Sequence, residues 1–285
     1  MTGTEHVSAG LDTPAPRATA TYVYAVCRGA GESALAGQPG QAPGAPVRLL
    51  RFGGLAAVVQ DVPAAEFSEE ALRERLSDRA DLERCARAHH AVVAAAAAAA
   101  PVLPLPLATV YLGDARAEAA LRADRDRLTA ALRRITGRVE WGVKVYARPA
   151  GRRTVSAAAP SAQSNHQDAA VSPGQAYLER LRGVRRERER RQESGVTAAE
   201  AVDRAFAGLA VAGRRLRPHD AAFTAGHGAH LLNAAYLVAE ARGGEVADAV
   251  RRLRRGPECR DVEIELTGPW VPYSFVDEGV SRAGG

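Results

Sequence analysis

The sequence predicts an α+β protein of two domains, an N-terminal ferredoxin-like sandwich and a smaller C-terminal α+β domain with a long helix. Three observations carry this. The 285 residues amount to about two domains at roughly 150 residues each. A polar, Ala/Ser/Pro-rich stretch without periodicity, "RPAGRRTVSAAAPSAQSNHQDAAVSP", divides the chain. On its N-terminal side, segments with strand period and segments with helix period follow one another. The expected boundaries are a disordered tail at 1–20, the sandwich at 21–147, a flexible linker at 148–173, the second domain at 174–278 and a tail at 279–285.

"TYVYAVC" opens the first domain as a β-rich run of aromatics and valines. The Gly/Pro/Gln run over residues 29–46 is a long loop. In "VRLLRFGGLAAVVQDV", Gly53 and Gly54 sit between two apolar runs and supply the positive φ of a hairpin turn. Ser68, followed by Glu69 and Glu70, caps a short helix. Residues 78–99 form the strongest helix, with Leu82, Cys85, Ala86, His89, Val93 and Ala96 on one face. A second helix covers residues 114–135 and stops at Gly137. "VEWGVKVYA" alternates as a closing strand, with Trp141, Val143 and Val145 on one face and Glu140, Lys144 and Tyr146 on the other.

The second domain begins with a helix over residues 174–209, whose Tyr177, Leu178, Leu181 and Val184 form a stripe before "RRERERRQE" turns wholly charged. "HLLNAAYLVA" reads as strand or helix, residues 244–255 as an amphipathic helix, and "DVEIELTG" as a clean strand. Residues 91–113 carry no ionised group, but Pro101, Pro104 and Pro106 break any spanning helix. No membrane insertion is expected.

Few constellations suggest chemistry. The only lysine, Lys144, lies within a strand, so no phosphate loop exists. Cys27, Cys85 and Cys259 are too far apart for zinc or redox spacing, which points to a reducing cytoplasm. His219, His227 and His230 gather in one region without a suitable fourth ligand, so no metal is expected. His89 reads as a core histidine, and its turn-spaced neighbour Cys85 as a buried thiol. A net charge of +5 is too mild to argue for nucleic acid, and the strand aromatics lack the basic-Gly-aromatic signature of RNA-binding sheets. A metal-dependent or nucleic-acid-binding module on the same scaffold is the alternative class. No catalytic residue and no cofactor are expected.

Several segments taken in order resemble one family. They are "YVYAVC", "GLAAVVQDVP", "RAHHAVV", "VLPLPLATVY", "EWGVKVY", "PGQAYLERLR", "LLNAAYLVA" and, most specifically, "IELTGPWVPYSFV". Together they resemble the gas vesicle proteins F and L (GvpF/GvpL). Two places depart from the family pattern: His90 stands where an acidic residue is usual. Pro106, Leu107, Ala108 and Thr109 stand where an Arg-Phe-Gly-Thr-like stretch is usual. The resemblance implies a non-enzymatic assembly factor, cytoplasmic and associated with gas vesicles. It implies that the partners are the major shell protein and other gas vesicle accessory proteins, with no nucleic acid among them.

Candidate partner-binding residues are Trp141, Lys144, Trp270 and Tyr273. Pro269 and Pro272 hold "GPWVPYSF" extended. Trp270 is expected to pack down and close the second domain with its indole N–H bonded, which leaves Tyr273 as the aromatic free to face a partner.

Overall fold

The computed structural model describes residues 18–148, 173–216 and 228–276. The linker expected to be disordered, and His219 and His227, lie outside the described residues. The chain forms two units: Gly137–Trp270 is one, and the residues up to Thr136 together with those from Val271 onward are the other.

In the first unit, β1 (Thr19–Cys27) is central. β3 (Leu55–Pro63) pairs with it antiparallel, as do β4 (Val102–Pro104) and the short β5 (Val110–Tyr111), while β2 (Val47–Phe52) lies outside β3. The order β2-β3-β1-β4 is that of a ferredoxin-like sandwich. Gly53 and Gly54 join β2 to β3 at φ 49° and 81°, the left-handed pair that matches strand twist. A bulge leaves Tyr24 unpaired, since Val23 faces Val59 but Ala25 already faces Val58. The extra residue turns Tyr22, Tyr24, Ala25 and Cys27 all toward one core.

Helices cover both faces of this sheet. Ser68 accepts from the Ala71 N–H at the start of α1 (Glu69–Ser77), and Asp78 accepts from Asp81 N–H at the start of α2 (Arg79–Ala97). α2 buries Cys85, His89, Val92, Val93 and Ala96. Leu82 and Ala86, expected on that stripe, are exposed: Leu82 precedes Cys85, the first residue of α2 to reach the core, and Ala86 lies to the side of the buried Cys85–His89–Val92–Ala96 line. The Tyr22 hydroxyl meets His89 of α2, whereas Thr21 donates to Asp114 at 2.8 Å. Adjacent strand residues point oppositely, so α2 and α3 (Asp114–Ala123) lie on opposite faces of β1.

The single helix expected over 114–135 is two. α3 ends at Asp124, whose ψ of 8° breaks the ladder before α4 (Arg125–Ile135). Asp124 instead holds the Arg127 guanidinium at 2.8 Å, the kind of local bond that makes aspartate poor inside helices. Leu121, Leu128 and Leu132 stay buried on both sides of the break, which is why periodicity alone does not reveal it.

No helix fills the crossover from β1 to β2. Its Gly/Pro-rich loop has one short turn, Glu32–Leu35, and is organised by a side chain instead. Gln60 on β3 is fully buried; its Oε1 accepts from Tyr24 Oη, Gln41 N–H and Ala42 N–H, and its Nε2 donates to the carbonyls of Pro39, Ala42 and Ala45. Gly40, at φ 59°, passes so close that a Cβ would collide with the Gln60 amide.

Ala108 adopts φ 64° and gives its N–H to Tyr22 Oη at 3.0 Å. A left-handed alanine costs about 1 kcal/mol against glycine. Ala108→Gly is therefore expected to stabilise the protein by about 1 kcal/mol in urea titrations. An unchanged or lower midpoint would mean that the strain is absent.

The second unit carries the same strand plan with both crossovers helical. In chain order it runs β6 (Arg138–Ala147), α5 (Pro173–Ala207), β7 (Ala212–Arg215), β8 (His230–Ala239), α6 (Gly243–Arg255) and β9 (Val262–Trp270). Its antiparallel order is β7-β8-β6-β9. β6 differs from the expectation that it closes the first sheet: it is the central strand of the second. Its valines need the cover of α5 and α6, and that pairing spans too much sequence to show in local pattern. Val143 and Val145 join Ala198, Val202 and Phe206 of α5, Val246 and Val250 of α6, and the inward residues of β8 and β9 in one core. Residues 271–276 also differ from their expected place in the second domain, since they belong to the first unit.

Candidate partner-binding surfaces

Trp141 and Lys144 are three residues apart on β6 and so occupy opposite faces. Trp141 is partly buried and packs on the second unit's core beside Val143 and Val145. Lys144 faces Glu265 across the β6–β9 pair, with Nζ 3.4 Å from Oε1. At this partial exposure the pair contributes at most about 1 kcal/mol.

Trp270 does not close the core as expected; it remains 46% exposed. Burial fades along β9, from Val262 and Ile264 in the core to exposed residues at Pro269 and Trp270. A bulge between Glu140 and Gly142 and the positive φ of Gly268 (118°) shape that end. A Cβ on Gly268 would meet the Glu140 carbonyl at 2.7 Å, so only glycine lets the strands lie this close.

Tyr273, in the first unit, is packed rather than offered. Its ring centroid lies 6.3 Å from that of His89 and 6.0 Å from that of His90, and its hydroxyl is 3.4 Å from His90 Nδ1. Burial pushes its phenol above the usual range. Nearby, the Arg134 guanidinium donates to the Phe275 carbonyl at 2.8 Å and Phe275 is buried.

Behind Tyr273 lies the polar centre of the first unit. Tyr22 Oη is 2.9 Å from His89 Nδ1, and the rings of Tyr22 and Tyr24 are 4.6 Å apart. Burial lowers the His89 pKa to about 4, with the Leu105 carbonyl opposing part of the shift. Burial likewise raises both tyrosines beyond their ordinary range. With His89 only 3% exposed and Tyr22 1%, these groups are closed to a substrate. The core role expected for His89 fits this placement; Gln60 escaped sequence reasoning. Its signal is slight, a lone amide within "AAVVQDV".

The second unit holds another polar cluster the sequence did not show. Tyr236 Oη donates to Asp203 Oδ1, and the Arg215 guanidinium donates to Oδ2 at 2.7 Å. They border a cleft of about 370 Å³ beside β7. Burial raises the Asp203 carboxyl, but the bonds from Tyr236 and Arg215 outweigh it and leave the group below its usual range. Both its oxygens are engaged, so the carboxylate is held as a structural anion. Among the described residues, no group of three or more His, Cys, Asp or Glu side chains could hold a metal. Cys27, Cys85 and Cys259 are buried free thiols. No described helix is long and apolar enough to cross a membrane.

The profile of the family described as "Gas vesicle synthesis protein GvpL/GvpF" matches residues 20–277. The chain belongs to the GvpL/GvpF family. Gas vesicle protein L of Streptomyces sp. (strain CB03234) is 40% identical over 254 residues, covering 89% of this chain and 91% of that protein. Gas vesicle protein F of the same strain is 28% identical, over 90% of this chain and 99% of that one. The crystal structure of GvpF from Anabaena sp. PCC7120 matches with a TM-score of 0.60 at 16% identity, over 91% of this chain and 96% of that one. GvpF from Microcystis aeruginosa gives 0.59 at 16%, over 90% and 99%. At such identities the structural likeness speaks for the fold, an α+β chain with antiparallel sheets and the long helix α5. Membership of the GvpL/GvpF family gives the chain a role in gas vesicles.

Proposed function

We propose that this chain is an accessory protein of gas vesicle assembly that works by binding, holding the major shell protein and other gas vesicle accessory proteins while the vesicle is built. The observation that carries the reading is the family match across residues 20–277. Physical reasoning supports it. A shell protein that polymerises through apolar surface must be held before it aggregates, and a soluble domain can do so with exposed aromatics. Of the four candidate residues, Trp270 is the one whose side chain offers large apolar area; Trp141, Lys144 and Tyr273 are engaged within their own units.

Co-expression of the tagged chain with the shell protein tests this. The shell protein is expected to co-purify, and Trp270→Ala is expected to weaken capture while costing less than about 1 kcal/mol of stability. Absence of the shell protein from the purified material would sink the reading. Full capture by the variant would remove Trp270 from the contact.

A further inference from the structure

The face of α5 that builds the second unit's core does not end where the core ends. Positions 177, 181, 184, 188, 192, 195, 199, 202 and 206 follow one another by three or four residues and form one stripe. Ala199, Val202 and Phe206 are buried on the β6–β8 sheet. Tyr177, Leu181 and Val184 continue the same stripe but are 60%, 48% and 69% exposed, with Leu178 beside them at 50%. Geometry explains the change. Thirty-five helical residues span about 52 Å, whereas the ten-residue strands beneath span about 33 Å. Every side chain from 177 to 193 is exposed.

Charge says what could cover this stripe. Seven arginines and four glutamates between residues 177 and 193 leave a net +3. Arg185, Arg190 and Arg191 pair with Glu189 and Glu187 along the helix. Arg180, Arg182, Arg186 and Arg188 have no carboxylate partner among the described residues. At 100° per residue, Arg188 stands within the stripe itself and Arg180 on its border, whereas Arg182 lies beyond Leu178 and Arg186 on the opposite face.

We propose that residues 177–193 of α5 are a docking surface for an acidic amphipathic helix of a partner protein. The partner's apolar face would lie on Tyr177, Leu181 and Val184, and its flanking carboxylates would meet Arg180 and Arg188. A second copy of this chain would set positive charge against positive charge. Nucleic acid would leave the apolar stripe uncovered. The proposal deepens the accessory-binding reading and rests on it.

The probe is a labelled amphipathic peptide of about 18 residues with a leucine stripe bordered by glutamates, titrated with the full chain in fluorescence anisotropy. Saturable binding is expected, weakening several-fold between about 50 and 300 mM salt. It should fall at least about tenfold in the Leu181→Asp/Val184→Asp double variant, which changes only exposed side chains and should melt as the parent does. Arg180→Glu/Arg188→Glu should weaken binding and reduce its salt dependence. A matched peptide with lysines replacing the glutamates should not bind. Equal binding of both peptides, or full binding by the first double variant, overturns the proposal. So does capture by phosphatidylglycerol vesicles without peptide binding, which would make this a membrane surface. A concentration-dependent dimer abolished by the double variant would make it a self-contact. Shell-protein co-purification by the unaltered chain reads the accessory role separately, so a failed peptide experiment beside successful co-purification rejects this surface alone.

Discussion

Replacing Gln60 by alanine is expected to cost about 3–4 kcal/mol, among the largest effects of any single substitution outside a core cavity. The amide is fully buried and binds four residues of the β1–β2 loop and Tyr24 at once. Where a ferredoxin-like sandwich normally has a helix, this chain has glycine and proline, and its loop backbone needs partners from elsewhere. Removing the amide takes their partner from the Ala42 N–H and from the carbonyls of Pro39, Ala42 and Ala45, and leaves the Gln41 N–H with Tyr24 Oη alone. Gln41→Ala provides the contrast. It loses a single side-chain bond, from Nε2 to the Cys85 carbonyl at 2.7 Å, and should cost about 1 kcal/mol. Urea titration of both variants decides the matter. A Gln60→Ala loss below about 1 kcal/mol would show that the loop orders itself.

Acid should weaken the first unit through His89. In the unfolded chain this imidazole has its ordinary pKa of 6.5, whereas burial in the fold lowers it to about 4. Between those values the unfolded state takes up a proton that the folded state refuses, so stability falls as pH drops. Above about 6.5 the contribution is fully present, and below about 4 the loss is complete at roughly 3 kcal/mol. His89→Gln removes this titration. The stability difference between parent and variant, measured from pH 7.5 to 4.5, should therefore slide by about 2–3 kcal/mol. A constant difference across that range would show that the fold does not lower the His89 pKa.

Local pattern carried most of the elements. The glycine pair of the first hairpin, the Ser68 cap and the alternation of residues 262–266 each reflect chemistry confined to a few neighbours. What stayed hidden depends on distant partners. β6 alternates equally well for either sheet, and only pairing with β8 and β9 assigns it. "HLLNAAYLVA" is apolar on both faces, so its period could not separate strand from helix until β6 and β7 flanked it. Trp270 looked like a core residue because tryptophan usually is, but burial depends on which helix lies over a strand's end. Of the polar centres, His89 was legible from its place on an apolar helix face. Gln60, Asp203 and Tyr236 were not, because each acts through residues far away in the chain.

The first unit is visited twice by the backbone. Tyr273 and Phe275 reach it only after β6 through β9 have all been made. On a ribosome, the second unit's residues must emerge in between, an interval on the order of ten seconds at ordinary rates of synthesis. Throughout that interval the His89–His90 side of α2 lacks its aromatic cover, and Arg134 lacks the Phe275 carbonyl. The half made first is thus the half finished last. Its final tightening is a timing signal: a nascent chain acquires the complete first unit only once translation has passed through the second.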